Sequence, residues 1–172
     1  GEELIYDNIA KIIGIDKKTV MSWLSVLIAG DIVYLLEPYN EISISKRIIK
    51  RPKLYFTDTG LACYLARLNS GEILGARAFS GRFVETYIIN EIKKSYVNNG
   101  IEPNFYYYRD SDMNEIDLVI IQDGKLHRIE CKSGIKFNNN AVKGFKQLDK
   151  TNYQIGFKVI ICNTDTVYPL DD

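Results

Sequence analysis

The sequence predicts an α/β chain: a partial winged helix-turn-helix followed by a mixed sheet flanked by helices. Three observations lead there. Residues 6–29 carry two helix-spaced apolar runs separated by Gly14-Ile15. Residues 115–132 alternate apolar and polar on both sides of Asp123-Gly124, the strongest short hairpin signal. The second half then orders its elements α-β-β-β-α-β.

Tyr6 to Ile13 form the first predicted helix, and Asp16 is a good N-cap for a second over Lys17–Ala29. Val20, Trp23, Leu24, Leu27 and Ile28 make one apolar stripe on it, which leaves Lys17, Lys18, Thr19 and Ser22 toward solvent at the helix start. In a helix-turn-helix those amino-terminal positions reach base edges. Gly30 closes the helix, residues 32–37 read as a strand, and Pro38-Tyr39-Asn40 as a wing-type turn. Residues 43–53 then hold Lys46, Arg47, Lys50, Arg51 and Lys53, with no acidic residue between Ile42 and Thr57. That run is a phosphate-binding candidate on a chain whose 22 basic and 22 acidic residues otherwise balance. The plainer reading is a packing or protein-docking helix pair with solvated basic faces. A winged helix has an earlier helix beneath its turn, and Gly1-Glu2-Glu3 leave no room for one, so more protein is expected on the amino-terminal side.

Asn69-Ser70-Gly71 and Ser80-Gly81 bracket a predicted linker at 69–80, between a first domain at 1–68 and a second at 81–172. The second opens with a helix over Gly81–Tyr96, apolar at Val84, Ile88, Ile92 and Tyr96. Glu85 falls in line with Ile88, Ile92 and Tyr96 and so faces inward, where a carboxylate needs a partner. A strand at 103–109, the hairpin, a helix over Ala141–Lys150 and a buried-looking strand at 156–162 complete the order.

With Asp123-Gly124 as the loop, Gln122 pairs with Lys125, and counting back sets Asp117 opposite Glu130. Lys132 lies two residues on, on the face of Glu130. Opposed like charges destabilise a sheet unless compensated. A divalent cation would compensate them, and so would the Lys132 ammonium. Glu115 also neighbours Lys132 in this register, so a Glu115–Lys132 salt bridge competes for the lysine.

Glu85 on a helix, Asp117 in a strand and Glu130-Cys131-Lys132, in that order, resemble the PD-(D/E)XK restriction-endonuclease-like superfamily. RPKLYFTDTGLACYL (51–65), SGRFVETYIINEI (80–92), YYYRDSDMNEIDLVI (106–120) and IECKSG (129–134) are more specifically similar to the carboxy-terminal region of a prokaryotic AAA-type ATPase family. The resemblance implies an ATPase, then a winged helix, then a nuclease-like domain of unassigned function. It implies Asp117, Glu130 and Glu85 as ligands of Mg²⁺ or Mn²⁺, with Lys132 as the fourth catalytic residue, activating water or steadying phosphate charge. No GxxxxGK[ST] segment is present, so this chain has no ATP site. Ile116 stands where the signature has proline, and Gln147 is followed one turn later by Thr151 rather than tyrosine. The implied function is a DNA-binding, Mg²⁺-dependent phosphodiesterase module. The alternative is a non-catalytic module that couples a DNA or protein partner to the ATPase, with Glu85, Asp117, Glu130 and Lys132 as a buried ion network.

Three widely spaced cysteines argue against a disulfide framework or zinc knuckle, and no apolar run approaches the ~18 residues of a membrane span. A cytoplasmic protein is expected. His127, the one histidine, has no nucleophile motif beside it. Lys143, Lys146 and Lys150 would share a helix face, and of Tyr106, Tyr107 and Tyr108 at least one should be core.

Overall fold

The computed structural model describes residues 1–40, 51–68, 70–71, 80–135 and 142–170. Its strands are β1 (Glu2–Glu3), β2 (Val33–Pro38), β3 (Lys53–Phe56), β4 (Phe105–Arg109), β5 (Glu115–Gln122), β6 (Lys125–Cys131) and β7 (Gln154–Ile161). They form one mixed sheet in the order β1-β3-β2-β4-β5-β6-β7. The helices described are α1 (Tyr6–Ile13), α2 (Lys17–Ala29), α3 (Thr59–Leu65) and α4 (Ser80–Asn98).

Local chemistry accounts for most boundaries. Gly14 ends α1 in the left-handed region at φ 78°, and Asp16 caps α2 by accepting from the Thr19 amide at 3.0 Å. Asp58 caps α3 in the same way through the Leu61 amide. Asp123 and Gly124 both have positive φ, as a two-residue type I′ hairpin requires, and Gln122 pairs with Lys125.

The sheet continues across the boundary drawn at 69–80. β2 pairs antiparallel with β3 and parallel with β4, with Glu37 opposite Tyr106 and Pro38 opposite Tyr107. The predicted wing turn is therefore corrected. Tyr39 donates its amide to the Tyr107 carbonyl at 2.6 Å, is buried, and its hydroxyl meets Thr151 Oγ1 at 2.9 Å. Burial of this ring holds the segment against the sheet rather than letting it turn away.

Two apolar clusters contain most of the core. α4 packs Ile88, Ile89, Ile92 and Tyr96 against Tyr107, Leu118, Ile120 and Ile129. Tyr108, Ile116, Val119, Leu126, Phe145 and Leu148 form the second. Asn90 ties α4 to the first half. Its Nδ2 donates to the carbonyls of Phe56 and Thr57 at 2.9 and 3.0 Å, and its Oδ1 accepts from the Tyr34 hydroxyl at 2.9 Å.

Three further expectations change. The helix expected over Ala141–Lys150 is, within the described residues, a 3-10 turn at Phe145–Leu148. Arg128 fixes that turn from below by donating Nη1 to the Phe145 carbonyl at 2.6 Å and to Asp149 at 2.5 Å. The strand expected to be buried at 156–162 is β7, at the sheet edge, and Phe157 is exposed there. Of the stripe on α2 only Val20 and Leu24 are buried, and Trp23 remains 55 % exposed.

Candidate functional site

The hairpin brings the candidate carboxylates close, and a β-bulge interrupts the register beside them. Tyr106 pairs with Val119 and Tyr108 with Ile116, so two steps along β4 match three along β5. The extra residue falls at Asp117-Leu118 and reverses the facing of the strand before it. Leu118 and Ile120 accordingly join the cluster under α4, whereas Ile116 joins the opposite one.

The Asp117 carboxylate is buried and accepts from the Cys131 amide at 2.8 Å. Its other oxygen is 3.9 Å from the Lys53 ammonium. Burial, then the charges of Glu130 and Glu85, push the Asp117 carboxyl up to about 8. Glu130 is also buried, and Lys132 donates to its Oε1 at 2.6 Å. Its Oε2 is buried with no hydrogen-bond partner. Desolvation raises the Glu130 carboxyl, opposed by the Lys132 hydrogen bond. Lys132 thus takes Glu130 rather than Glu115.

Glu85 lies inward as its place on α4 predicts, and it accepts from the Tyr55 hydroxyl at 2.5 Å. Lys53 is the residue that the basic-run reading misplaced. It is 4 % exposed, and its ammonium stands 2.6 Å from Glu115, 3.3 Å from Glu85 and 3.9 Å from Asp117. Burial alone would lower its pKa, yet Glu85, then Glu115 and Asp117, more than offset this and raise it. The expected phosphate contact is corrected: the strand KLYF alternates, and Lys53 and Tyr55 both face the interior.

As arranged, these residues do not fit a Mg²⁺ ion. Such an ion needs near-octahedral oxygens at about 2.0–2.1 Å, and an ammonium already sits among three of the carboxylates. Among the described residues no group of three or more His, Cys, Asp or Glu side chains is placed to hold a metal.

Residues 80–172, more than half of the chain, match the family model described as "Domain of unknown function (DUF4143)". The chain belongs to this family. Residues 1–72 match a second model, "Domain of unknown function (DUF8612)". Searches of curated proteins and of solved structures give no match. Glu85, Asp117, Glu130 and Lys132 all lie within the DUF4143 region, whereas Lys53 comes from outside it.

The predicted nucleic-acid residues are dispersed. Lys17 is exposed and paired with Asp7 at 2.9 Å, and Lys18 and Ser22 are exposed beside it on α2. Thr19 is occupied by the cap, donating both its amide and its hydroxyl to Asp16. Arg51 is exposed, 3.7 Å from Glu3. Lys46, Arg47 and Lys50 lie outside the described residues. Lys143, Lys146 and Lys150 are exposed, but the helix that would align them is absent from the described residues. His127 Nδ1 accepts from the Phe157 amide at 3.2 Å, a bond that joins β6 to the edge strand. The three cysteines are free thiols, and no described helix is long and apolar enough to cross a membrane.

Sequence reasoning missed Lys53, Tyr55 and Asn90 as organising residues. Strand alternation within 53–56 was the signal for the first two.

Proposed function

We propose that this chain is a non-catalytic docking module, a winged-helix unit joined to a restriction-endonuclease-like sheet, that connects a protein partner to an AAA-type ATPase. The DUF4143 domain is often found at AAA-type ATPase carboxy termini, which makes the ATPase body itself the first partner to test. One observation carries the docking role. The helix pair α1–α2 leaves Ile12 85 %, Val26 68 % and Trp23 55 % exposed, with Ile13 and Met21 also open. Isolated exposed apolar residues are ordinary, but this density within two short helices, tryptophan included, has the composition of an interface core. The non-catalytic part rests on Lys53, whose ammonium neutralises the carboxylates that a metal would need.

Trp23 is the single tryptophan, so its fluorescence reports this surface alone. Titration with an AAA-type ATPase segment of the same family should shift its emission to the blue, and Val26→Asp should abolish the shift. No shift, with unchanged ATP turnover, would refute the docking role.

A second reading is favoured by one observation: the buried Glu130 keeps a spare oxygen while Lys132 bonds to its other one. It is the Mg²⁺-dependent phosphodiesterase, for which nicking of supercoiled plasmid is the assay. Nicking by the natural chain that Asp117→Ala and Lys132→Ala both abolish would establish it and overturn the first reading.

A further inference from the structure

The edge strand β7 is joined to β6 with one residue too many. Leu126 pairs with Ile155 and Arg128 with Lys158, so two steps along β6 face three along β7, and neither Gly156 nor Phe157 has a register partner. A bulge of this kind leaves its extra residue outside the ladder. Here a side chain takes the amide: Phe157 donates its N–H to His127 Nδ1 at 3.2 Å. The two rings lie against each other, with centroids 4.1 Å apart and planes inclined at 35°. A Cβ on Gly156 would overlap that same Nδ1, so glycine is what lets the strand pass flat over the imidazole. An acceptor at Nδ1 requires the neutral ring, with its proton on Nε2.

We infer that His127 is an acid-released latch for the edge strand: protonation at Nδ1 turns its acceptor into a donor aimed at the Phe157 N–H, and residues 154–157 of β7 come away from β6. Two N–H groups then face each other, and the close pass of Gly156 hinders the ring from turning another edge to the amide. Beyond the bulge, Lys158 to Ile161 keep their pairing with Arg128 to Cys131, so only the first half of the strand opens. The surroundings hold the ring neutral until acid is added. Burial, then the Lys125 ammonium, lowers the His127 pKa from its ordinary value, and the Asp123 carboxylate opposes them. The other elements around it bring no further charge to this face. Ile120 is its partner on β5, and Gly156 and Phe157 lie over it on β7. Arg128 points to the opposite face, to the Phe145 carbonyl, and Lys158 is in register with it. On the face of Ile129, α4 packs Ile88, Ile92 and Tyr96, whose phenol is held neutral by a raised pKa. Once the strand lifts, water reaches the imidazole and the burial penalty is gone, so acid favours opening and opening favours protonation. β7 ends the sheet opposite β1, so the latch acts apart from any partner on α1–α2.

Nitrogen NMR of the whole isotope-labelled chain reads the latch directly. At neutral pH the ring shifts of His127 should show the proton on Nε2, and the Phe157 amide should be protected from hydrogen exchange. As His127 titrates, that protection, corrected for the intrinsic exchange rate, should fall about tenfold with the same midpoint as the ring shifts. The Ile129 and Val159 amides should keep theirs, which separates the opening from global unfolding. His127→Asn places an amide oxygen where Nδ1 stands, an acceptor that gains no proton in this range, and should hold the Phe157 protection throughout. His127→Phe keeps an aromatic ring without an acceptor and should lack that protection at every pH. Phe157 protection that persists while His127 titrates would overturn the inference. So would a His127→Asn chain that loses it over the same pH range, or ring shifts that put the proton on Nδ1 at neutral pH.

Discussion

Replacing Lys53 by Met keeps a side chain of similar length in the interior and removes only the charge. The ammonium is closest to Glu115, but that side chain is 30 % exposed, so water screens the pair. The pair with Glu85 at 3.3 Å involves a side chain only 13 % exposed and retains most of its strength, whereas Asp117 at 3.9 Å, its carboxyl pushed up to about 8, is largely protonated at neutral pH and adds little. Removing one partner of a buried ion pair costs about 3–5 kcal/mol, mostly because the remaining charge is stranded. For a chain of this size that corresponds to a Tm lowered by about 6–20 °C. Urea unfolding at neutral pH, followed by circular dichroism, measures it. The reasoning carries an internal check. If the cost is the stranded charge, then Lys53→Met with Glu85→Gln should be more stable than Lys53→Met alone by about 1–2 kcal/mol. A loss below about 1 kcal/mol for the single variant, or no recovery in the double, would show that Lys53 is not the cluster's counter-ion.

Asp117 supplies a pH test: its folded carboxyl, at about 8, holds a proton that the unfolded chain releases near 3.8, so stability should fall as pH rises between those values and level off above them. Asp117→Asn should flatten that slope in urea unfolding at about pH 5 and about pH 8, and an unchanged slope would assign it to another group. Gly144→Ala should destabilise by about 1–3 kcal/mol, because a Cβ there would overlap the Glu115 carbonyl, which is backbone and cannot move aside. Asn90→Ala should cost about 2–3 kcal/mol in the same assay, since the half-buried Tyr34 hydroxyl and the Phe56 and Thr57 carbonyls lose their partner together.

Features set by neighbouring residues were legible in the sequence; features set across the fold were not. The helices Tyr6–Ile13 and Lys17–Ala29 and the Asp16 cap follow from apolar period and cap chemistry within a few residues. The Gln122–Lys125 pairing follows from the Asp-Gly turn. The inward Glu85 follows from its alignment with Ile88 and Ile92. The bulge at Asp117 did not follow, because strict alternation is the assumption by which register is counted, and the extra residue is dictated by pairing with β4. The helix over 141–150 failed for a similar reason. Gly144 lies against the Glu115 backbone and Arg128 claims the Phe145 carbonyl, so contacts from β5 and β6 outweigh a helical apolar pattern. Charge density groups Lys53 with four other cations, whereas its parity with Tyr55 places it inside.

The matches to the two families divide the chain near residues 72–80, yet the forces that hold it together do not respect that division. β2, from the first region, lies between β3 and β4, and Asn90 of α4 bonds to the carbonyls at the end of β3. Tyr107 donates its hydroxyl to the Arg51 carbonyl, one more bond across the same line. Most decisive is the electrostatics, since the DUF4143 region contributes Glu85, Glu115 and Asp117 while Lys53 arrives from the other. Separated at the family boundary, the second region would expose the β2-pairing edge of β4 and hold three acids without their shared ammonium. Such a fragment either unfolds at neutral pH or recovers stability as the acids are protonated or bound by a cation. Whatever docks on α1–α2 therefore acts on a body whose sheet and charges are continuous with the carboxylate cluster. A partner that displaced β3 would uncover the acids, and no partner that left β3 in place would change their charge balance.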